Sequence, residues 1–133
     1  MKKSRWDGTL SVQVDEIDDD HRRLVELYEE LERAVREGES QVLTGMLAAE
    51  LVSCTDCHFR HEERLMYRHG YPGLEEHRRE HQELMATARR LLEERQAAGA
   101  PISAEDVTFL DHWLTGHILG PDMDLGNWLN QAD

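Results

Sequence analysis

The stretch Cys54–Met85 reads CTDCHFRHEERLMYRHGYPGLEEHRREHQELM, and its spacing decides the fold. His58 and Glu62 stand four apart, as do His77 and His81. Four residues advance an α-helix by about one turn, so each pair points one way. Between the pairs, Gly70 reads as a helix stop and Tyr71-Pro72-Gly73 as a turn. Two helices thus face each other across a short connection. The upstream one extends back to about Ser40, with an inner face of Leu47, Leu51, Cys54, His58, Glu62 and Leu65. The downstream one runs from about Leu74 to Ala98, with His77, His81, Leu84, Ala88 and Leu91 on one face, and Gly99-Ala100-Pro101 closes it.

Two further segments carry the same period. One follows Asp18-Asp19-Asp20, acids suited to a helix N-terminus, and repeats His21, Leu24, Tyr28, Leu31 and Val35 before Gly38. The other opens at Ser103, with Asp106 three residues on as an acidic variant of the capping box, and repeats Val107, Leu110, Leu114 and His117. Strand signals are few. Four amphipathic helices with short connections predict an all-α, antiparallel up-down-up-down four-helix bundle. The 133 residues suit one domain, with residues 1–17 as an N-terminal arm and 18–131 as the bundle. Trp6 is placed to pin the arm against the bundle.

Five histidines, His21, His58, His77, His81 and His117, fall on these apolar faces together with Glu62. Any one of them alone is better read as a core residue satisfied by a hydrogen bond. Six ionisable groups spread over all four helices reverse that preference, because burying them is costly unless they are paired or hold a metal. Asp122 is the remaining candidate. It lies five residues after His117, about 140° away on an ideal helix. The two share a face only if the helix breaks, and Gly120-Pro121 between them offers a place for a break.

Five imidazoles, two bridging carboxylates and one bridging oxygen fill eleven of the twelve positions of two octahedral metals, leaving one open. Imidazole with carboxylate suits iron, zinc, copper or nickel, whereas structural zinc prefers closed tetrahedral sites. A paired octahedral site in a helical bundle favours iron. It differs from ferritin-like centres, whose Glu-x-x-His motifs do not occur at these positions. Mostly neutral ligands stabilise high-valent iron less than carboxylates do, which favours reversible binding of dioxygen over its activation.

The net charge of −13 argues against nucleic acid and anionic membranes as partners. No apolar run approaches the ~20 residues of a membrane helix. The N-terminus does not resemble a signal peptide, so a cytoplasmic location is expected. Cys54-Thr55-Asp56-Cys57-His58 matches the c-type haem attachment pattern. Haem attachment requires export and would remove His58 from the metal set. The two cysteines are read instead as ordinary helix residues, with thiol redox sensing as the alternative. His61, His69 and His112 are read as solvated, Asp18 to Asp20 as helix-entry residues, and Asp124 as a second-choice carboxylate.

At this point the chain resembles the hemerythrin family, and within it the bacterial single-domain members. The matching pieces are Trp6, Asp15 through His21, His58-Phe59-Arg60-His61-Glu62-Glu63, Gly70-Tyr71-Pro72, His77 through His81, Trp113-Leu114, His117-Ile118 and Asp122. They cover nearly the whole chain in the expected order. The resemblance implies two iron ions (Fe2+/Fe3+) joined by an oxo or hydroxo bridge. His77, His81 and His117 would hold one iron, His21 and His58 the other, and Glu62 and Asp122 would bridge. Dioxygen would be the ligand, in a dry pocket walled by Leu24, Phe59, Trp113, Leu114 and Ile118. Two positions depart from the family pattern: Leu125 stands where an aromatic is common, and Pro121 directly precedes Asp122.

The function this implies is reversible binding of dioxygen for storage, delivery or buffering, without enzymatic turnover. The alternatives are an oxygen, redox or nitric oxide sensor acting through a protein partner of unknown identity, and a peroxidase or nitric oxide-processing enzyme. Tyr28 is the nearest candidate proton donor for such an enzyme.

Overall fold

The computed structural model describes residues 11–131. The backbone forms α1 (Asp15–Arg36), α2 (Gln41–His69), α3 (Leu74–Ala98) and α4 (Ala104–His117), then a π-helical turn over Ile118–Asp122 and α5 (Met123–Gln131). Since α4, the π turn and α5 run on without interruption, the molecule is a four-helix bundle, all-helical among the described residues.

The helix ends follow local chemistry. Ser40 caps α2 by accepting the Leu43 N–H at 3.1 Å. Gly70 and Gly99 close α2 and α3 with φ of 67° and 62°, a left-handed conformation that only glycine adopts cheaply. Ser103 and Asp106 complete the expected capping box. Arg95 of α3 grips the same Asp106 through two hydrogen bonds of 2.7 and 2.8 Å, tying α3 to the start of α4.

The first helix begins at Asp15, three residues earlier than the acidic run suggested. Asp18 still lies in the first turn, where an entry acid is expected. Its carboxylate reaches back to accept the Val12 N–H at 2.8 Å and the Ser11 hydroxyl at 2.6 Å, holding the arm against the bundle. The arm then crosses α5 at Gly126, where a Cβ would lie 2.8 Å from the Val12 Cβ and closer still to its carbonyl oxygen. Only a residue without a side chain allows that crossing. Trp6, the anchor expected from sequence, lies outside the described residues.

Two apolar clusters fill the interior. The larger contains Leu24, Leu31, Leu51, Ala88, Leu110 and Ile118, and the smaller contains Val12, Ile17, Leu65, Met66 and Leu125. The predicted inner-face histidines and carboxylates are also buried, among them His21, Glu62 and Asp122 at 0% exposure.

Candidate metal centre

The first difference from expectation lies in α4. The helix does not break at Gly120-Pro121; it widens into the π turn. In an α-helix, Pro121 would owe an N–H to the carbonyl of His117 and has none to give. A π turn offers that carbonyl the N–H five residues on, which belongs to Asp122. The same widening brings residues five apart to one face. Asp122 is thereby delivered beside His117, with Asp122 Oδ1 2.9 Å from His117 Nε2. Single π turns of this kind recur at functional sites.

Around Asp122 the other predicted residues converge. His21 Nε2 donates to Asp122 Oδ2 at 2.7 Å, and His77 Nε2 donates to Oδ1 at 3.1 Å. Glu62 comes up from α2, with Oε1 3.0 Å from His81 Nε2 and Oε2 3.4 Å from His58 Nε2. His81 and His117 bring their Nε2 atoms within 3.1 Å of each other. The donor atoms fall into two groups, each spanning less than 4.8 Å: Glu62, His77, His81, His117 and Asp122 in one, and His21, His58, Glu62 and Asp122 in the other. Both carboxylates belong to both groups. Bonds of about 2.1 Å to an octahedral ion put neighbouring donors about 3.0 Å apart and opposite ones about 4.2 Å apart, so each group fits the span of one metal.

Unpaired atoms make the same point. Buried His58 Nε2 and both oxygens of Glu62 find no hydrogen-bond partner, although imidazoles surround Glu62. Leaving such groups unsatisfied costs about 1–3 kcal/mol each, and more when charged. A metal at this point would satisfy them together. The donor set of nitrogen and oxygen without thiolate suits a first-row transition ion.

Outer carboxylates fix the rings, and reading the sequence missed them. Asp20 accepts from His58 Nδ1 at 2.9 Å and from His61 Nδ1 at 2.7 Å. Glu63 accepts from His81 Nδ1 at 2.9 Å, whereas His117 Nδ1, 3.6 Å from Glu80, has no hydrogen-bond partner. A proton held on Nδ1 leaves Nε2 as the lone pair aimed inward, the arrangement metal-binding histidines use. Asp20 is thus not merely a helix-entry acid, and His61 is not simply solvated but half-buried against it. His69, His112 and Asp124 are exposed and stand apart from the site.

Electrostatics reflect the crowding. Burial pushes His77 down, but its hydrogen bond to Asp122 and the negative charges of Glu62 and Asp122 outweigh it and raise the ring to about 9. For His117 burial again opposes, and the Asp122 charge raises it to about 10. Burial would raise Glu62, yet the surrounding imidazoles, His58 foremost, hold it well below the usual carboxylate range. Burial likewise works against Asp20, which its two histidine partners hold below that range.

Beside His21 and His58 lies a cavity too tight to admit a water molecule, lined by Leu24, Phe59, Trp113, Leu114 and Ile118, with Leu84 added. Phe59 stacks on His81 with ring centres 3.8 Å apart, and the Trp113 indole N–H donates to the Leu84 carbonyl at 3.0 Å. Tyr28 is buried but does not line this cavity. Among the described residues, no helix is long and apolar enough to cross a membrane.

The profile of the family described as the Hemerythrin HHE cation binding domain matches residues 12–129. A bacteriohemerythrin from Stenotrophomonas maltophilia is 36% identical over 119 residues, covering 88% of this chain and 75% of that protein. A myohemerythrin from Riftia pachyptila is 32% identical over 117 residues, covering 88% of this chain and 86% of its own length. A crystal structure of wild-type hemerythrin superposes with a TM-score of 0.80 at 24% identity, covering 96% of this chain and 95% of the other, a likeness of fold.

Proposed function

As the chain belongs to the hemerythrin family, we propose that it holds two iron ions and binds dioxygen reversibly, serving storage, delivery or buffering rather than catalysis. The observation that carries this reading is the pair of donor groups that share Glu62 and Asp122, with three histidines on one side and two on the other. Iron bound there would supply the one-electron chemistry and the open coordination position that no side chain offers. His77, His81 and His117 would complete one metal's surroundings, while His21 and His58 would leave the second less crowded.

The protein's own part is positioning and exclusion. Asp20 and Glu63 hold the rings of His58 and His81 in one tautomer, with Nε2 inward. Leu24, Phe59, Trp113, Leu114 and Ile118 keep the less crowded side dry, which slows loss of a bound ligand to water and protons. Apart from the proposed ligands, the lining of that cavity carries no carboxylate, hydroxyl or ammonium group to serve as a proton donor. This supports a binding role over turnover. The cavity is apolar and too narrow for a water molecule, which favours a small uncharged ligand.

The test is a visible spectrum of iron-loaded protein, reduced without oxygen, then exposed to air, then purged with argon. New absorption in air that fades under argon is expected. Bands that persist under argon would overturn reversibility, and a featureless spectrum in air would remove dioxygen binding altogether.

A further inference from the structure

Outside the metal cavity, the two cysteines remain without a role. Both Cys54 and Cys57 line a surface pocket of about 310 Å³, together with Asp20, Leu24, His58 and His61. Leu24 and His58 also line the inner cavity, so this pocket is the outer side of the wall that closes it. Cys57 is exposed, whereas Cys54 is half-buried and packs against the larger apolar cluster. They stand three apart on α2, and side chains at that spacing lie on one face with Cβ atoms about 5–6 Å apart.

We propose that Cys54 and Cys57 form a dithiol that hydrogen peroxide oxidises to an intrahelical disulfide, and that closing it reshapes the turn of α2 that presents His58. The chemistry balances without a further reactant. The exposed Cys57 sulfur attacks a peroxide oxygen: an S–O bond forms, the O–O bond breaks, and the released hydroxide leaves as water with the thiol proton. The Cys54 sulfur then attacks the oxidised sulfur. An S–S bond forms, the S–O bond breaks, and the hydroxyl departs as a second water with the Cys54 proton. The two thiols give two electrons, and one peroxide becomes two waters.

Geometry couples this reaction to the centre. A disulfide needs Cβ atoms about 3.8 Å apart, closer than an α-helix provides at this spacing. The backbone must wind tighter between the cysteines, towards a 3₁₀ turn in which residues three apart eclipse. Thr55, fully buried, ties that turn to the previous one through its hydroxyl on the Leu51 carbonyl at 2.7 Å. The next residue after Cys57 is His58, held on its other side by Asp20. Rewinding the turn therefore pulls on a ring fixed at both ends.

The experiment uses the full-length protein as isolated, treated with hydrogen peroxide and followed by intact mass, iodoacetamide labelling and hydrogen exchange. The expected product is a monomer that has lost two hydrogens, whose reactive thiols fall from two per chain to none and return after dithiothreitol. Amides from Thr55 to His58 should exchange at least about tenfold faster in the oxidised form. The Cys54→Ser variant should instead gain oxygen atoms on Cys57 or couple chain to chain. Wild-type protein that only gains oxygens, keeps its thiols or forms only links between chains would overturn the dithiol. A disulfide with unchanged exchange would overturn its coupling to His58. Because these readouts count thiols and amides, they succeed or fail independently of the dioxygen reading.

Discussion

Deleting Pro121 tests whether the π turn, rather than a break, delivers Asp122. As an uninterrupted α-helix, the present sequence would set Asp122 about 140° from His117 and Leu125 about 80° away. Yet Asp122 and Leu125 are both fully buried, and His117 is nearly so. Without Pro121, the two residues stand four and seven positions from His117, about 40° and 20° away on an α-helix. The deletion also removes a residue that costs about 3 kcal/mol inside an α-helix. Deleting Gly116, one residue ahead of His117, is the control. It leaves the π turn but rotates everything after it by about 100° relative to the rest of α4. Ile118 and Leu125 would leave the core, at about 1.5–3 kcal/mol each, from a typical total stability of about 5–15 kcal/mol. His117 and Asp122 would turn away with them. Metal content and thermal unfolding by circular dichroism separate the two variants. The Pro121 deletion should keep the parent's metal content and melt within about 5 °C of it. The Gly116 deletion should lose metal and melt far lower, or fail to fold. Equal damage from both deletions would refute the role assigned to the π turn.

Other consequences follow from the same geometry. In the metal-free protein, His77 and His117 titrate at about 9 and 10, above the ~6.5 of an unfolded histidine. Their stabilisation is complete below about pH 6.5 and is lost as pH rises through those values; that of Glu62 and Asp122, held low, is present above about pH 4.5 and lost on acidification. Thermal melts of metal-free protein should therefore peak at mildly acidic pH, and a maximum above pH 9 would contradict this. Asp20→Asn removes the charge that orients His58 and should weaken metal binding by about 10–100-fold in a competition titration, while unchanged affinity would show that Asp20 does not position the ring. Gly126→Ala forces the arm away from α5 and should cost about 1–3 kcal/mol in urea unfolding, without change in metal content; a neutral result would mean that the crossing at Val12 gives way freely.

Much of this was legible in the sequence because helical period alone sorts inner residues from outer ones. His21, His58, Glu62, His77, His81 and His117 each fall on an apolar stripe, and the structure buries all six. The capping box at Ser103 and the glycine stops at Gly70 and Gly99 were likewise readable from local chemistry. What escaped reading depends on contacts between helices or on backbone that departs from the period. Asp20 and Glu63 look like ordinary surface acids until α1, α2 and α3 are packed and their carboxylates meet imidazoles from neighbouring helices. Asp18 is the helix-entry acid that was expected, but its hold on Val12 and Ser11 of the arm depends on how the arm folds back. Asp122 was legible as a candidate, but its route was not. Proline signals an interrupted hydrogen-bond ladder, and that signal alone does not separate a broken helix from a widened one.

The proposed centre is two metals sharing two carboxylates. Its most direct test is a crystal structure of iron-loaded protein with anomalous diffraction data collected at the iron absorption edge. Two peaks are expected in the bundle core, one among His77, His81 and His117 and the other beside His21 and His58, with Glu62 and Asp122 between them. A single peak, or none within reach of Glu62 and Asp122, would contradict it.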